Sequence, residues 1–201
     1  MDAEEAIQGR NDEDALDVSR FKSGNEDAFG DLVRRRQREV FLLCRRMIGN
    51  QDDAMEAVQE TFLRAYRSLN RFRGEASFRT WVLGIAANVC RNKLSSAWTR
   101  FMRSALPFSS SAEDDEPRAP DPVSANPDPE SAALGTELRG ALENALARIS
   151  PEHREIIVLR QIQDLDYEEM AEVLGSPVGT VKSRLCRARK ALREAMEDVW
   201  P

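Results

Sequence analysis

The chain has 201 residues, of which 41% are hydrophobic and 32% charged, and its formal net charge is -6. This is enough apolar material for one ordinary domain or two small ones. No apolar run approaches the roughly 20 residues that span a bilayer, and the acidic start MDAEEAIQGRNDEDA does not resemble a secretory signal peptide. The sequence therefore predicts a cytoplasmic protein with no membrane-inserted segment.

The negative average conceals an uneven distribution of charge along the chain. Residues 1–15 carry one basic and six acidic side chains, and residues 104–133 carry one and seven. Residues 16–103 instead carry 17 basic and 10 acidic side chains, and the run 178–193 has six cations and no acid. Two basic surfaces flanked by acidic stretches indicate a polyanionic partner, such as nucleic acid, for the basic parts.

The N-terminal half has the pattern of a helical domain. Residues 1–15 are predicted to be an acidic disordered tail, and residues 16–103 a helical bundle. Apolar residues recur at helical spacing through 29–48, 54–69 and 78–90. Ser77 stands before the third of these stretches as an N-cap. Because nothing alternates with the period of two that a strand requires, the sequence predicts an all-α fold.

The middle of the chain has the composition of a linker. Residues 104–133 are rich in Pro, Ser, Asp and Glu and hold few large apolar side chains. Burial cannot offset the entropy of ordering such a segment, so it is predicted to be a flexible acidic linker. It divides the chain into the domain 16–103 and a second small helical domain, 134–201.

The C-terminal domain has sharp helix boundaries. The pair Ser150-Pro151 is the N-cap and first-turn proline of one helix. Asp166 and Glu169 have capping-box spacing and open a short helix that ends at Gly175, and another helix begins at once. A short helix, a tight turn with glycine and a second helix predict a helix-turn-helix.

Helical spacing assigns two faces to the last helix. Val178, Val181, Leu185, Ala188 and Leu192 share one face, which is expected to pack into the domain. The opposite face carries cations, a hydroxyl and small side chains, as does a recognition helix in the major groove. A solvated basic helix is the alternative reading of this pattern. The predicted DNA-binding set is Gly179, Lys182, Ser183, Cys186, Arg187 and Lys190, with Arg184 at its flank in a position suited to a phosphate.

Two blocks of sequence carry a more specific signal. They are VQETFLRAYRSLNRFRGEASFRTWVLGIAANVCRN, residues 58–92, and EIIVLRQIQDLDYEEMAEVLGSPVGTVKSRLCRARKAL, residues 155–192. The first resembles the second conserved region, and the second resembles the fourth, of the extracytoplasmic-function sigma factors of the sigma-70 family. The resemblance covers most of both predicted domains in the right order, which makes it more specific than a helix-turn-helix alone.

The resemblance implies two modes of contact with promoter DNA. The helix-turn-helix would hold the duplex −35 element. The loop FRGEASF, residues 72–78, matches the family's loop that captures a base flipped from the melted −10 element, and the next helix would contact the same element. Burial in the core is an equal alternative for Phe78. The implied −10 residues are Phe72, Gly74, Ala76, Ser77, Phe78, Asn88, Arg91, Asn92 and Lys93.

The resemblance also implies protein partners. The helix before the loop matches the family's docking surface for the clamp helices of the largest subunit of core RNA polymerase, and the C-terminal domain would meet the flap of the second-largest. The implied polymerase-binding residues are Gln59, Glu60, Leu63, Arg64 and Arg67. The expected function is promoter-specific transcription initiation, held in check by an anti-sigma factor until a stress signal arrives.

Other classes of function fit the sequence less well. A free-standing helix-turn-helix regulator remains the alternative, although it leaves the basic N-terminal domain without a role. An adaptor that binds polymerase without DNA is disfavoured by the cations of the last helix. No enzyme, metal site or cofactor is predicted, since His153 is the single histidine and Cys44, Cys90 and Cys186 are far apart without a CxxC pair.

Overall fold

The computed structural model describes residues 3–104 and 140–197, and every regular element in these two ranges is a helix. The predicted all-α class is confirmed. The predicted linker lies outside the described residues, except for Ser104, where a helix ends. The helices are α1 (Ala3–Lys22), α2 (Asp27–Ile48), α3 (Gln51–Ser68), a 3₁₀ turn (Leu69–Arg71), α4 (Phe78–Ser104), α5 (140–148), α6 (Pro151–Gln161), α7 (Tyr167–Leu174) and α8 (Val178–Glu197).

Helices α1 to α4 form the N-terminal domain around one apolar core. Leu32, Leu43 and Leu83 are fully buried between α2, α3 and α4. Each such side chain contributes about 1.5–3 kcal/mol by leaving water. Gly49, at φ 89°, ends α2, and Asn50 caps α3 by accepting a hydrogen bond from the Asp53 backbone N–H. The turn between these helices therefore follows from local residue chemistry.

The N-terminal tail differs from the sequence prediction. Residues 3–15, expected to be disordered, belong to α1, which packs against α2. The Asp14 carboxylate is 1% exposed and accepts a hydrogen bond of 2.7 Å from the Arg36 guanidinium of α2, which is 2% exposed. Arg35 donates to Asp17 at 2.9 Å. Two acids of the segment that suggested disorder, Glu13 and Asp14, are thus paired with arginines about twenty positions further along the chain.

Helices α5 to α8 form the C-terminal domain, and its helix boundaries are those the sequence predicts. The Ser150 hydroxyl caps α6, with Pro151 in its first turn. Asp166 and Glu169 form the capping box of α7, and Gly175, left-handed at φ 57°, ends it. Helices α7 and α8 are the helix-turn-helix.

The two domains pack against one another, which the sequence did not indicate. Helix α7 lies on α4, and α6 lies near the C-terminal half of α2. Two hydrogen bonds join the C-terminal domain to α2: Arg154 donates to the Met47 carbonyl at 2.7 Å, and Gln163 donates to the Glu39 carbonyl at 3.0 Å. Arg46 and Glu143 form an ion pair at 2.7 Å. The C-terminal domain is therefore docked on the N-terminal domain through several directional contacts.

Candidate nucleic-acid and polymerase interfaces

Helix α8 buries its apolar face and leaves its basic face open. Val181, Leu185 and Ala188 are at most 2% exposed. Six members of the predicted DNA-binding set are exposed, and the seventh, Arg184, is partly buried at the flank. The exposed members are Gly179, Lys182, Ser183, Cys186, Arg187 and Lys190. The structure therefore brings this set together on one accessible helical surface.

The first turn of α7 supports that surface. The Tyr167 ring lies 5.1 Å from Lys182 Nζ and 5.5 Å from Arg160 Cζ, both measured to its centroid. Arg160 also donates to the Leu165 carbonyl at 2.6 Å, which holds the turn before α7. A cation next to an aromatic face is attracted by the ring quadrupole, so Tyr167 restrains where Lys182 points. Sequence reasoning passed over Tyr167, although it stands at the first position of the short helix.

The 72–78 loop is built on an aromatic cluster. The Phe72 ring lies 4.9 Å from Trp81 and 6.4 Å from Phe78, centroid to centroid. Phe78 is only 3% exposed, so its ring supports the loop from the core and is not available to stack on a base. Gly74 has φ 76° at an exposed position, a conformation that favours glycine. Of the two aromatic residues predicted to face DNA, only Phe72 is even partly accessible here.

The predicted −10 residues of α4 divide between two faces of the helix. Asn88 lies with Ala76 in a cleft of about 250 Å³ that α7 closes with Glu172 and Val173. Arg91 donates to Asn88 and forms an ion pair of 2.9 Å with Glu155 of α6. The face of α4 that meets the C-terminal domain thus holds Asn88 and Arg91, and Ala76 of the preceding loop lies beside Asn88.

The other two α4 residues face α3. Asn92 and Lys93 line a groove of about 500 Å³ together with Glu60 and Arg64, members of the predicted polymerase-binding set. Lys93 Nζ lies 2.9 Å from a Glu56 carboxylate oxygen. The predicted −10 set is therefore divided in this arrangement: Asn92 and Lys93 line the groove beside α3, whereas Asn88 and Ala76 line the cleft beside α7.

The outer face of α3 combines apolar and charged side chains. Leu63 is 43% exposed, whereas Phe62 is 8% exposed and belongs to the core. Glu60 and Arg64 form an ion pair at 2.6 Å, and Gln59 and Arg67 are exposed. Two further apolar residues on the same face, Met55 at 50% and Tyr66 at 38%, were missed by sequence reasoning. Met55 lies four residues before Gln59 and Tyr66 three residues after Leu63, so helical spacing would have placed both on this face.

Tyr66 is fixed at the edge of this face. Its ring packs edge-on against Phe21 of α1 and Phe29 of α2, at 5.4 and 5.2 Å between centroids. The nearby Glu26 carboxylate raises the pKa of the Tyr66 hydroxyl. The α3 surface thus extends from Met55 to Tyr66 with its aromatic end held by the core.

Both conserved blocks match known family models. A sigma-70 region 2 model matches residues 32–100, and a sigma-70 region 4 model matches residues 139–192. The RNA polymerase sigma-H factor of Pseudomonas aeruginosa is 33% identical over 183 residues, 90% of this chain and 93% of that protein. The ECF sigma-E factor of Escherichia coli is 35% identical over 186 residues, 92% and 95% of the two chains. The chain belongs to the extracytoplasmic-function sigma factors.

Solved structures agree with this identification. The structure of CnrH in complex with the cytosolic domain of CnrY has a TM-score of 0.64 and 26% identity over 92% of this chain and 98% of its own. The Bartonella quintana sigma factor RpoE, solved with the anti-sigma factor NepR, shares the fold, with a TM-score of 0.64 and 21% identity over 85% and 98% of the two chains. The free-standing regulator is therefore not the function of this sigma factor.

The matched regions correspond to the two domains of this sigma factor. The region 2 match covers most of α2, all of α3 and most of α4, and the region 4 match covers α5 to α7 and most of α8. The buried part of α1 precedes both. Within the described residues no helix is long and apolar enough to cross a membrane, and no cluster of His, Cys, Asp or Glu has the arrangement of a metal site.

Proposed function

We propose that this sigma factor reads the −35 element through α8, the −10 element through α4 and the 72–78 loop, and core polymerase through α3. The observation that carries the proposal is the division of α8, whose apolar side is buried while its cationic side is exposed. A basic helix that served only solubility would not have to follow a short capped helix and a tight turn, whereas the recognition helix of a helix-turn-helix does.

The exposed face of α8 has the chemistry to read duplex DNA. Arg187 and Lys190 lie one turn apart and suit guanine edges and phosphates, while Gly179 allows close approach near the start of the helix. Arg184 at the flank suits a phosphate. Base contacts give sequence preference and phosphate contacts give affinity that falls with salt.

The N-terminal domain supplies the chemistry for melted DNA. Ala76 and Asn88 line the same cleft, so a small residue and an amide meet where a flipped base would enter. Arg91 lies beside Asn88 and suits the strand's phosphates. Melting is favoured because flipped bases bind only in the open state, which is a shift of population without covalent chemistry. The protein itself therefore needs no catalytic group.

The α3 face fits a helical partner. Met55, Leu63 and Tyr66 form an apolar line, and charged residues flank it, as in the core and rim of a protein interface. The clamp helices of the largest polymerase subunit are the proposed partner of this face, and the flap of the second-largest subunit that of the C-terminal domain. A protein that makes such contacts would act in the cytoplasm with RNA polymerase.

An anti-sigma factor that responds to stress is the proposed regulator. The sigma factor RpoE of Bartonella quintana, which shares the fold, was solved with the anti-sigma factor NepR, and CnrH was solved with the cytosolic domain of CnrY. The exposed α3 and α8 faces are the surfaces such a partner would have to cover to silence initiation.

The test is binding to core RNA polymerase followed by transcription on genomic fragments. With core enzyme of Escherichia coli, the chain should bind and produce new, defined start sites. Leu63→Glu should weaken core binding at least tenfold, because it places a charge in the apolar line. Leu16→Glu, at an equally apolar position of α1 that is 67% exposed, is the matched control and should bind like the unmodified chain. Absence of core binding, with tight duplex binding by the chain alone, would overturn the proposal.

A further inference from the structure

The last residue of α1 contacts the first residue of the 72–78 loop. Lys22 Nζ donates a hydrogen bond to the Phe72 carbonyl, and it lies 5.7 Å from the centroid of the Phe72 ring. Helix α1 also lies against the 3₁₀ turn that leads into the loop. The region 2 match begins at residue 32, so this contact reaches the loop from outside the matched region.

The two contacts of Lys22 restrain both the backbone and the side chain of Phe72. A lysine ammonium has three hydrogen-bond donors, and a cation near an aromatic face is attracted by the ring quadrupole. The Phe72 ring packs on Trp81 of α4 as well, at 4.9 Å between centroids. The partly accessible aromatic residue of the loop is therefore held by α1 and α4 together.

The end of α1 is itself fixed on the domain core. Val18 and Phe21 are buried, and Asp17 accepts a hydrogen bond of 2.9 Å from Arg35 of α2. The backbone of Lys22 is thus ordered before its side chain contacts the loop. Only the entropy of the lysine side chain then opposes the contact, and the loop gains a fixed point on a packed helix.

A chain of ion pairs connects α1 with the other end of the loop. Asp14 of α1 accepts from Arg36 at 2.7 Å, and Arg36 donates to one oxygen of Glu39 at 3.1 Å. The other oxygen of Glu39 accepts from Arg79 at 2.7 Å. Arg79 directly follows the loop in the first turn of α4. Helix α1 is therefore linked to the loop at both of its ends.

The centre of the loop depends on these two ends. Arg73, Gly74 and Glu75 are exposed, and Gly74 has φ 76°. A base that leaves the stack loses its stacking and pairing, so the site that receives it has to compensate for that loss. A loop that is ordered beforehand binds more tightly than one that must be ordered at the moment of binding. The position of Phe72 therefore matters for capture of the base.

We infer that Lys22 is a positioning residue for promoter opening: from the end of α1 it holds Phe72 in the conformation in which the 72–78 loop captures a base flipped from the −10 element. The inference rests on the proposed function of the loop and adds to it a residue that acts through Phe72. Helix α1 is then part of the machinery that opens the promoter.

Amide hydrogen exchange in the free chain tests the contact. Lys22→Met keeps the length of the side chain and removes the ammonium, so the backbone amides of residues 73–77 should exchange at least fivefold faster. Lys22→Arg can still donate to the Phe72 carbonyl and should exchange like the unmodified chain. The matched control is Arg20→Met, which removes a cation of the same helix end whose ion pairs are with Asp17 and Asp31. Unchanged exchange in Lys22→Met would overturn the inference.

Promoter opening tests the function of the contact. With core polymerase of Escherichia coli, permanganate oxidation of unpaired thymines in the −10 element should appear at least fivefold more slowly with Lys22→Met. Lys22→Arg should restore the rate, and Arg20→Met should leave it within twofold. Binding of core polymerase and of duplex −35 DNA should stay within twofold for all three variants. An unchanged opening rate, or an equal loss of core binding, would overturn the positioning role.

Salt dependence separates positioning from a direct phosphate contact. Affinity of the polymerase complex for a single-stranded −10 oligonucleotide should fall by the same factor at every salt concentration in Lys22→Met. If Lys22 instead bound a phosphate, the slope of log affinity against log salt would decrease by roughly 0.7, and the positioning role would be wrong. If the unmodified chain opens no promoter with core polymerase, the proposed function fails and the inference with it, whatever the exchange rates are.

Discussion

The Tyr167 ring and the Lys182 ammonium lie 5.1 Å apart, which joins the first turn of α7 to the exposed cationic side of α8. A cation over an aromatic face is worth about 0.5–1 kcal/mol at an exposed site. Tyr167→Leu should therefore free Lys182 and reduce affinity for a duplex that contains the −35 element by about twofold to fivefold. The measurement is fluorescence anisotropy with a duplex selected by binding to the unmodified chain.

Tyr167→Phe separates the ring from the hydroxyl. It keeps the aromatic face and should bind within twofold of the unmodified chain. If Phe and Leu weaken binding equally, the hydroxyl and not the ring is what matters at this position.

The Asp14 and Arg36 pair should make α1 a structural part of the N-terminal domain. Asp14→Ala leaves the buried guanidinium without its 2.7 Å carboxylate partner, although Glu39 and Asn11 still accept from it. Removal of one partner of a buried pair costs about 3–5 kcal/mol, so we expect a loss near 3 kcal/mol in the free energy of unfolding. Urea unfolding followed by circular dichroism measures it.

The neighbouring residue provides the control. Glu13 is 63% exposed and pairs with Arg35 at 3.1 Å, so Glu13→Ala should cost at most about 1 kcal/mol. Equal losses for Asp14→Ala and Glu13→Ala would show that α1 contributes little to the folded domain.

The helix boundaries could be predicted and the long-range contacts could not. Ser150, Asp166 and Gly175 act on backbone groups within three residues, so their types identify the helix ends directly. Asp14 is stabilised by Arg36, a partner 22 positions away, and its acidic surroundings suggested disorder instead. The approach of Gly84 in α4 to Val173 in α7 has no local signal at all, because it depends on how the two domains pack against one another.

The same limit applies within the candidate site. The spacing in α8 predicted the open face, since helical periodicity alone decides which residues oppose Val181 and Leu185. The likeness to known loops placed Phe78 among residues facing DNA, but its ring fills the core beside Trp81, at 5.7 Å between centroids. Family resemblance identifies a segment and leaves the orientation of each side chain to packing.

The three cysteines should differ sharply in reactivity. Cys44 and Cys90 are fully buried, and the hydrogen bond with Cys44 together with burial raises the pKa of the Cys90 thiol. Cys186 is exposed on α8. Ellman's reagent should therefore modify about one thiol per folded chain rapidly, and all three in urea.

Modification of Cys186 should also block DNA binding, because it adds bulk to the face of α8 that we propose enters the major groove. The Cys186→Ser variant should keep its affinity and become insensitive to the reagent. Rapid reaction of more than one thiol in the folded chain would contradict the buried positions of Cys44 and Cys90.

The buried Glu155 should make stability depend on pH. Burial raises the pKa of its carboxyl, and the nearby Arg91 cation only partly opposes this. An acid whose pKa is higher in the folded state stabilises that state below its unfolded pKa, and this contribution is lost as pH rises through the folded pKa. Each unit of elevation corresponds to about 1.4 kcal/mol.

Glu155→Gln removes this titration. The free energy of unfolding of the variant, relative to the unmodified chain, should increase as pH rises from about 4 to about 7. A difference that stays flat for Glu155→Gln would mean that Arg91 compensates fully for burial.

Substitution of Arg187 should distinguish a contact with a base from a contact with a phosphate. It lies exposed in the middle of α8, and its Nε donates weakly to the Ser183 carbonyl at 3.4 Å, so its guanidinium is available. If it reads a base, Arg187→Ala should cost about 1–3 kcal/mol on the selected duplex and much less on a scrambled one. Equal losses on both duplexes, with a salt slope reduced by about one, would make it a phosphate contact. Arg38→Ala, which removes an exposed arginine of α2, controls for the change in net charge and should affect neither duplex by more than twofold.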